Sequence, residues 1–526
     1  MASASGTPFS LFSPIASFPD FPSLGLSDEE AGAGNWLAMR LYEQKAYFEL
    51  RWLYYDAEQR LQDLGISLNP TLNKIRTALG WSRIGVDALV NRAVVEGFRF
   101  PGATDVDDDL MGIWQVNNLD GESPMTHLEA LVSGRAYNIV GTGDDSTNGL
   151  PLITSESPMN MAVQYDARLR RVSAAVQMYY DGDYSSDMYG SEVAAIYLPD
   201  RTIHLARQST LGNAATARWE MVDRDDHGLG FVPVVRVANR QRLTNRDGFS
   251  EITGAWMNTT DSACRTLLGM EISRELHAAP RRYALGVGED AFQKPDGTPV
   301  TKLQAYMDMV WLLERDADGN VPTVGEFRGS DPSTYTKLIA TYREEMATHM
   351  GVPPSMMGIH SVGNPASADA IRAGQEELTS RARAKQQMFS DAWEETMRLA
   401  LLIRDGSIPP EAHRIETDWR DPAPQTLAGT SDAIVKQVES GAIPATSDVT
   451  LKRLGYSAVE RARLAQDRDA DQGASFLQEI AHSLTAKAAT KDKRLANDIV
   501  SPETTPETTK PVPTPAEVFG GKRNNG

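Results

Sequence analysis

The sequence predicts an α+β fold in which long amphipathic helices bracket two strand-bearing regions. Three observations predict it. Apolar residues recur at helical spacing in several separate stretches, the longest running from about 367 to 405. Alternating and apolar runs separated by Gly, Asp and Ser fill much of 97–240 and read as hairpins. A short unit rich in polar turns, 281–330, lies between two helical stretches.

Taken in order, residues 1–34 are rich in Ser, Gly and Pro with scattered Phe and Leu, and their lack of periodicity predicts a flexible arm that docks on a neighbour. Residues 35–65 carry Trp36, Leu41, Phe48, Trp52, Tyr55 and Leu61 along one helical face, and a second helix covers about 71–95. In the strand-rich region, VSAAVQMYY and VAAIYLP flank a turn, and TIHLARQ and ARWEMVDR form another pair. A helix over 248–279 presents Ile252, Trp256, Ala263, Leu267 and Met270 and stops before Pro280. Residues 281–330 hold short strands and turns: RYALGV, PDGTP, WLLERDADGN and TVGEF.

The next helix, 331–351, places Tyr335, Ile339, Tyr342, Met346 and Met350 on one face, with Arg343, Glu344 and Glu345 between them. Gly351 supplies its stop, and Pro353-Pro354 forbids continuation. After the break GVPPSMMGIHSVGNPAS, Asn364 or Ser367 caps the following helix, with Pro365 tolerated in its first turn. That helix carries Ile371, Leu378, Ala382, Phe389, Trp393, Met397 and Leu401, and Gly406 with Pro409-Pro410 ends it. About 40 residues at about 1.5 Å each give a rod of roughly 60 Å, which needs a large scaffold beside it. Short helices bounded by Gly and Pro follow over 425–470. From 471 the composition, with SPETTPETTKPVPTP and GGKRNNG, predicts a disordered tail. No internal repeat is visible.

Composition narrows the function. The 41% apolar and 23% charged shares are those of a soluble globular chain, and no run of about 18 apolar residues exists to span a membrane. The amino terminus lacks the pattern of a secretory signal. The single cysteine, Cys264, excludes an internal disulfide and reads as a buried thiol of a reducing compartment. The net charge of −19, from 52 basic and 71 acidic residues, argues against a protein that grips nucleic acid. It fits either solubility or a surface past which DNA must slide.

Chemical motifs are sparse. No phosphate-cradling G-x-x-x-x-G-K-[ST] occurs, and GTGDDSTNG at 141–149 lacks a lysine and reads as a polar loop. The eight histidines (His127, His204, His227, His277, His349, His360, His413 and His482) show no metal-ligand spacing. Asp181, Asp183, Ser185, Asp187 and Glu192 fall in a calcium-loop register, but Ser186 replaces the required glycine, so an acidic hairpin tip is expected. The DVDDD run at 105–109 reads as a solvated turn. No Ser-His-Asp set and no pair of carboxylates arranged for two-metal chemistry can be singled out.

Three segments then carry a resemblance. GVPPSMMG, NPASADAIRA and the long helix with AWEETMRLAL resemble the portal proteins of tailed bacteriophages, of the siphovirus type. RWLYYDAEQRLQDLG at 51–65, WSRIGVDALVNRAVVEGFR at 81–99 and HLEALVSGRAYNIVG at 127–141 resemble the amino-terminal part of that family. DWRDPAPQTLAGTSDAIVKQVESGAIP and RLGYSAVERAR resemble its carboxy-terminal helices. The resemblance implies a portal fold with a helix-rich wing carrying β-hairpins (35–247), a two-helix stem (248–280 and 331–351) and a small α/β clip (281–330). A channel loop (352–366), a long wing helix with its return (367–424) and a helical crown (425–470) complete it.

The resemblance further implies a ring homo-oligomer, dodecameric in the assembled family, at one vertex of the capsid in the virion, assembled in the host bacterial cytoplasm. Its implied partners are the major capsid protein and scaffold, the terminase packaging motor, the head–tail connector and double-stranded DNA passing without sequence specificity. It implies no cofactor, no membrane and no enzymatic activity, the packaging ATPase being a separate chain. The loop at 352–366 is implied to face the DNA through Val352, Met356, Met357, Ile359, His360 and Val362, with no Lys or Arg before Arg372. Flexible apolar methionines would touch the duplex without ion pairs, so contacts would break readily. The alternatives are another virion structural or adaptor protein, against which the helix–unit–helix order argues, and a metal- or nucleotide-dependent enzyme.

Overall fold

The computed structural model describes residues 19–61, 77–103, 105–186, 188–208, 218–277, 282–286, 319, 321–326, 331–359, 368–423, 427–456 and 460–468. Residues 1–424 belong to one compact unit and 425–526 to a second.

The first helix, α1 (Asp28–Tyr55), begins earlier than apolar spacing predicts because a capping box fixes its start. The Glu30 amide donates to the Ser27 hydroxyl (3.3 Å), and the Ser27 amide donates to the Glu30 carboxylate (2.9 Å). Residues 21–24 form a 3-10 turn whose Phe21 is fully buried against α1, so the expected arm of 1–34 is shorter than predicted. Residues 1–18 lie outside the described residues. Helix α1 ends at Tyr55 rather than near 65, and Trp36, placed on its buried stripe by spacing, is 47% exposed. The second helix, α2 (Trp81–Val90), is likewise shorter than 71–95.

Strand β1 (Val95–Arg99) leads into α3 (Asp108–Val116) and α4 (Leu119–Ser133). The DVDDD run is therefore a helix start: Asp107 accepts from the Asp109 and Leu110 amides (3.1 and 3.0 Å) and caps α3. Then come β2 (Arg135–Gly141), β3 (Leu152–Glu156), β4 (Met161–Asp166), β5 (Arg171–Tyr180), β6 (Ser191–Tyr197), β7 (Thr202–Gln208), β8 (Glu220–Asp225) and β9 (Val234–Ala238). Strands β4 to β8 form an antiparallel meander in sequence order, and β3-β2-β9 form a second sheet. The two hairpins read from sequence are β5–β6 and β7–β8.

The near-continuous apolar runs of β5 and β6 follow from burial on both sheet faces. One face, with Ala174, Val176 and Ile196, packs under α1; the other, with Val172, Ala175 and Ala195, meets Tyr137 and Val234 of the smaller sheet.

Helix α5 (Gly254–His277), strands β10 (Arg282–Leu285) and β11 (Thr323–Glu326), and helix α6 (Pro332–Met350) form the helix–unit–helix segment. The two helices run antiparallel: the Trp256 indole donates to the His349 carbonyl (3.3 Å), and farther out Gly269 faces the Tyr335 ring. Strands β10 and β11 pair antiparallel at their far end, Arg282 opposite Glu326. The PDGTP turn and WLLERDADGN lie outside the described residues apart from Gly319.

Helix α7 (Ala368–Asp405) has 38 residues, about 57 Å at the helical rise. It crosses β9 and β2 and sends Leu378, Phe389, Trp393 and Met397 into the main core beside Trp114 and Phe98. The chain then returns as β12 (Glu416–Trp419), antiparallel to β1, a strand within the stretch expected only as the return of the long helix. In the second unit, α8 (Leu427–Glu439) and α9 (Asp448–Arg453) pack together.

At the centre of the main core, the His127 ring of α4 is fully buried and stacks on Phe389, with centroids 4.8 Å apart and planes 3° from parallel. The Trp393 Nε1–H donates to its Nε2 (2.9 Å), so that nitrogen carries no proton. Burial pushes the imidazole pKa down to about 3, against a smaller opposing contribution from the Ala93 backbone. The folded protein keeps His127 neutral while the unfolded chain takes up a proton below about 6.5, so stability is lost as pH falls from about 6.5 toward 3. Between pH 7 and 5 this amounts to about 2 kcal/mol. The His127→Gln variant keeps an acceptor for Trp393 and removes the titration, so its unfolding free energy should fall less over that range in urea denaturation. Equal pH slopes in the two proteins would show that the folded imidazole titrates normally.

Candidate functional site

The loop implied to face DNA leaves α6 and enters α7, and its base is built on a buried charge. Glu251, just ahead of α5, is 1% exposed. Its backbone amide donates to the Leu131 carbonyl (2.8 Å), which fixes the residue against the end of α4. Its Oε1 accepts from Lys385 Nζ on α7 (2.6 Å) and from the Asn239 amide after β9 (3.0 Å), and Oε2 accepts from Arg381 (3.0 Å). Lys385 also donates to Asn239 Oδ1 (2.7 Å), so the buried ammonium has two acceptors. Burial raises the Glu251 pKa, but Lys385, Asn239 and Arg240 more than offset it and hold the carboxyl below its usual range.

Arg381 extends this cluster to the end of α6. It donates to the Met350 and His349 carbonyls, which have no helical partners, and so caps that terminus with a cation. The turn itself is a Schellman closure: the Val352 amide donates to the Ala347 carbonyl and the Gly351 amide to Thr348 (both 3.1 Å). Gly351 takes φ +64°, and a Cβ there would lie 2.5 Å from the Arg381 guanidinium. Behind the turn, Gly85 of α2 lets Met350 and Trp256 approach to distances that a side chain would forbid.

The six residues expected along the loop separate. Val352 and Met357 are buried in the main core, 5% and 6% exposed, so in this chain they anchor the loop rather than project from it. The reason is local: the Schellman closure turns Val352 inward, and the 3-10 turn over Pro354–Met357 sends adjacent side chains to different sides. Met356 is 39% exposed on the 3-10 turn, and Ile359 packs half-buried against the core edge. His360 and Val362 lie outside the described residues.

The other candidates have structural work. Asp181 accepts from the Asp183 amide (3.0 Å) and the Ser186 hydroxyl (2.5 Å), and Asp183 from Ser185, so these carboxylates shape the hairpin tip. Glu192 pairs with Arg207 across the strands (3.0 Å), and Asp187 lies outside the described residues. Among the described residues no cluster of His, Cys, Asp or Glu could hold a metal ion. Burial pushes the Cys264 thiol up to about 11, so it is protonated and unreactive at neutral pH. A cleft of about 500 Å³ lies beside the 141–149 loop, but its central Asn117 is spent on the Ile113 and Pro151 carbonyls and the Ile153 amide.

The residues that sequence reading missed are Glu251, Asn239, Arg381 and Lys385. One signal was available: Lys385 occupies a place in the apolar stripe of α7, at steps of three and four between Ala382 and Phe389.

Comparison with known proteins gives a consistent likeness. The family described as phage portal protein, SPP1 Gp6-like, matches residues 37–453. The portal proteins of Mycobacterium phages D29 and L5 are each 33% identical over 434 residues, 81% of this chain and 86% of theirs. A chain of the virion of a native gene transfer agent particle aligns with a TM-score of 0.43 at 15% identity, over 79% of this chain and 94% of that one. A chain in the neck of an empty particle of that kind gives the same TM-score and identity over 72% and 89%.

The buried cluster generates a stability prediction. Lys385→Met leaves Glu251 deprived of its closest cation in a dry site and should cost about 3–5 kcal/mol. Pairing it with Glu251→Gln should recover part of that loss, because the buried carboxylate no longer lacks its ammonium, while Arg381 and Arg240, both partly exposed, keep access to water. Urea denaturation of the single and double variants measures this. Additive losses would mean the two side chains are not coupled.

Proposed function

The chain belongs to the phage portal protein family, SPP1 Gp6-like, a structural component of the virion, and from that premise we propose how it works. Twelve copies form a ring at one capsid vertex through which double-stranded DNA is packaged and later ejected. The ring contacts the major capsid protein and scaffold during assembly in the host bacterial cytoplasm. The terminase motor docks on the clip, residues 281–330, and the head–tail connector takes its place after packaging. The chain supplies no nucleotide chemistry of its own, and hydrolysis belongs to the motor.

The observation that carries this reading is the order of parts within the family match: antiparallel α5 and α6, closed at the far end by β10–β11, followed by a loop and a 57 Å helix. A helical pair that carries a small unit at its tip has too little neighbouring core to bury its remaining apolar surface alone. Tyr335 and Leu267 stay only partly buried along this pair, which favours copies packed side by side.

In that ring the loop at 352–359 has a fixed base and an exposed tip. The Glu251–Arg381–Lys385 cluster and the buried Val352 and Met357 hold the base, and Met356 is the exposed contact. A thioether offers the duplex dispersion contact without an ion pair, so no counterion release strengthens the grip.

Negative-stain microscopy of the purified protein tests the assignment, and rings with a central channel are the expected result. A compact monomer at every salt concentration would contradict it. The tip makes a separate prediction. Heads assembled with Met356→Lys should package more slowly, with partial recovery as salt rises, because a ring of cations would hold phosphates. Met356→Leu should package nearly normally, since it keeps apolar volume. Unchanged rate and salt dependence in the lysine variant would mean that Met356 does not meet DNA.

A further inference from the structure

The five-stranded sheet is polarised in charge from one edge to the other. At its β4 edge, the β4–β5 turn reads Arg168-Leu169-Arg170-Arg171. Asp166 accepts from the Arg168 and Leu169 amides (2.7 and 3.0 Å), and Arg170 takes φ +56°, so the turn is fixed and presents Leu169 outward, 58% exposed. The loop after β9 forms a second tip, because β9 packs against β5. Arg242 and Asn245 exchange backbone hydrogen bonds (2.9 and 3.1 Å) around Leu243, which is 89% exposed. The Arg236 guanidinium lies over the Tyr165 ring of β4 (3.7 Å) and pairs with Asp247 (3.2 Å), which ties the loop after β9 to the end of β4 beside the first tip.

Arginines deeper in this region have partners: Arg40, Arg135 and Arg236 converge on Asp247. Arg170, Arg242 and Arg246 make no ion pair with any acid among the described residues, and Arg242 rests over the Phe249 ring (4.5 Å). In a chain of net charge −19, three arginines without acidic partners around two exposed leucines form a basic patch with an apolar centre.

The opposite edge has the complementary character. All six residues of β8 are exposed, and no described strand covers its outer side. Glu220, Asp223 and Asp225 are without ion pairs among the described residues, while Arg224 is spent on Glu30 and Asp226 (3.2 and 3.3 Å). Met221 and Val222 are 41% and 49% exposed between them. The two edges are four strand spacings apart, about 19 Å. An edge strand with open backbone groups invites a partner, and complementary patches at opposite edges of one molecule make a head-to-tail contact, the kind from which a ring is built when the rotation between copies closes.

We infer that β8 of one subunit docks on the Arg170, Arg242 and Arg246 patch of the next copy, with Met221 and Val222 set against Leu169 and Leu243. This rests on the ring reading above and names the surface through which subunits meet. The test uses three full-length variants: Arg170→Glu with Arg246→Glu, Asp223→Arg with Asp225→Arg, and all four together. Native mass spectrometry measures ring against free subunit at about 50 mM and about 500 mM salt, and circular dichroism checks that each variant folds.

The wild type should form rings that weaken with salt, and each charge-reversed pair should raise the concentration needed for ring formation about tenfold or more. The fourfold swap should restore rings. Folded pairs that assemble like the wild type, or a folded fourfold swap that fails to recover, would overturn the inference and leave the ring standing. Arginine-reversed rings that form normally but lose binding to duplex DNA would reassign the patch to nucleic acid. A wild type that stays monomeric would remove this inference and the ring together.

Discussion

A carboxylate placed where water cannot reach must find cations and donors, and Glu251 finds them on two other segments of the chain at once. Lys385 and Arg381 come from α7, and Asn239 follows β9, while the Glu251 backbone is held by the end of α4. Because the charge is fully desolvated, these groups cannot separate without a large penalty, so the start of α5 is fixed relative to α7. Arg381 then carries the constraint to the end of α6 through the Met350 carbonyl. The apolar packing of Trp256, Met350 and Gly85 fills the space this polar frame defines.

That frame gives the loop between α6 and α7 two distinct parts. Val352 and Met357 are committed to the core, whereas Met356 stands out from a turn whose backbone is closed by its own hydrogen bonds. A contact carried on such a turn can meet a passing ligand without deforming the helices behind it. The acidic composition fits the same demand, since Met356 and its neighbours in the turn, Pro354, Ser355 and Met357, carry no charge. Charge here is a matter of placement more than of total.

Much of the fold is legible because period and punctuation agree. The length of α7 follows from its apolar steps, and the break before it follows from Gly351 and the paired prolines. Other elements escaped for physical reasons. The start of α1 rests on a capping box in a Gly- and Ala-rich stretch with no apolar stripe to announce it. Strand β12 is four residues long and exists by pairing with β1, more than 300 residues earlier in the chain, a contact no local pattern records. The loop residues were legible as apolar, but which of them face inward depends on the turn that Gly351 closes. Lys385 was visible as a polar residue within an apolar stripe, and such a residue signals a buried partner whose identity only the fold supplies.

Through its coupling to α7, the buried charge cluster should make the base of the helical pair as stable as the core itself. Native-state hydrogen exchange tests this most directly. Amides of Trp256–Thr260 and Met346–Met350 should exchange only through the global unfolding that also releases Phe389–Trp393, with one shared opening free energy and one shared denaturant dependence. Exchange in the first two segments that is faster by orders of magnitude and independent of denaturant would mean that the pair detaches locally, and that Glu251 does not hold it.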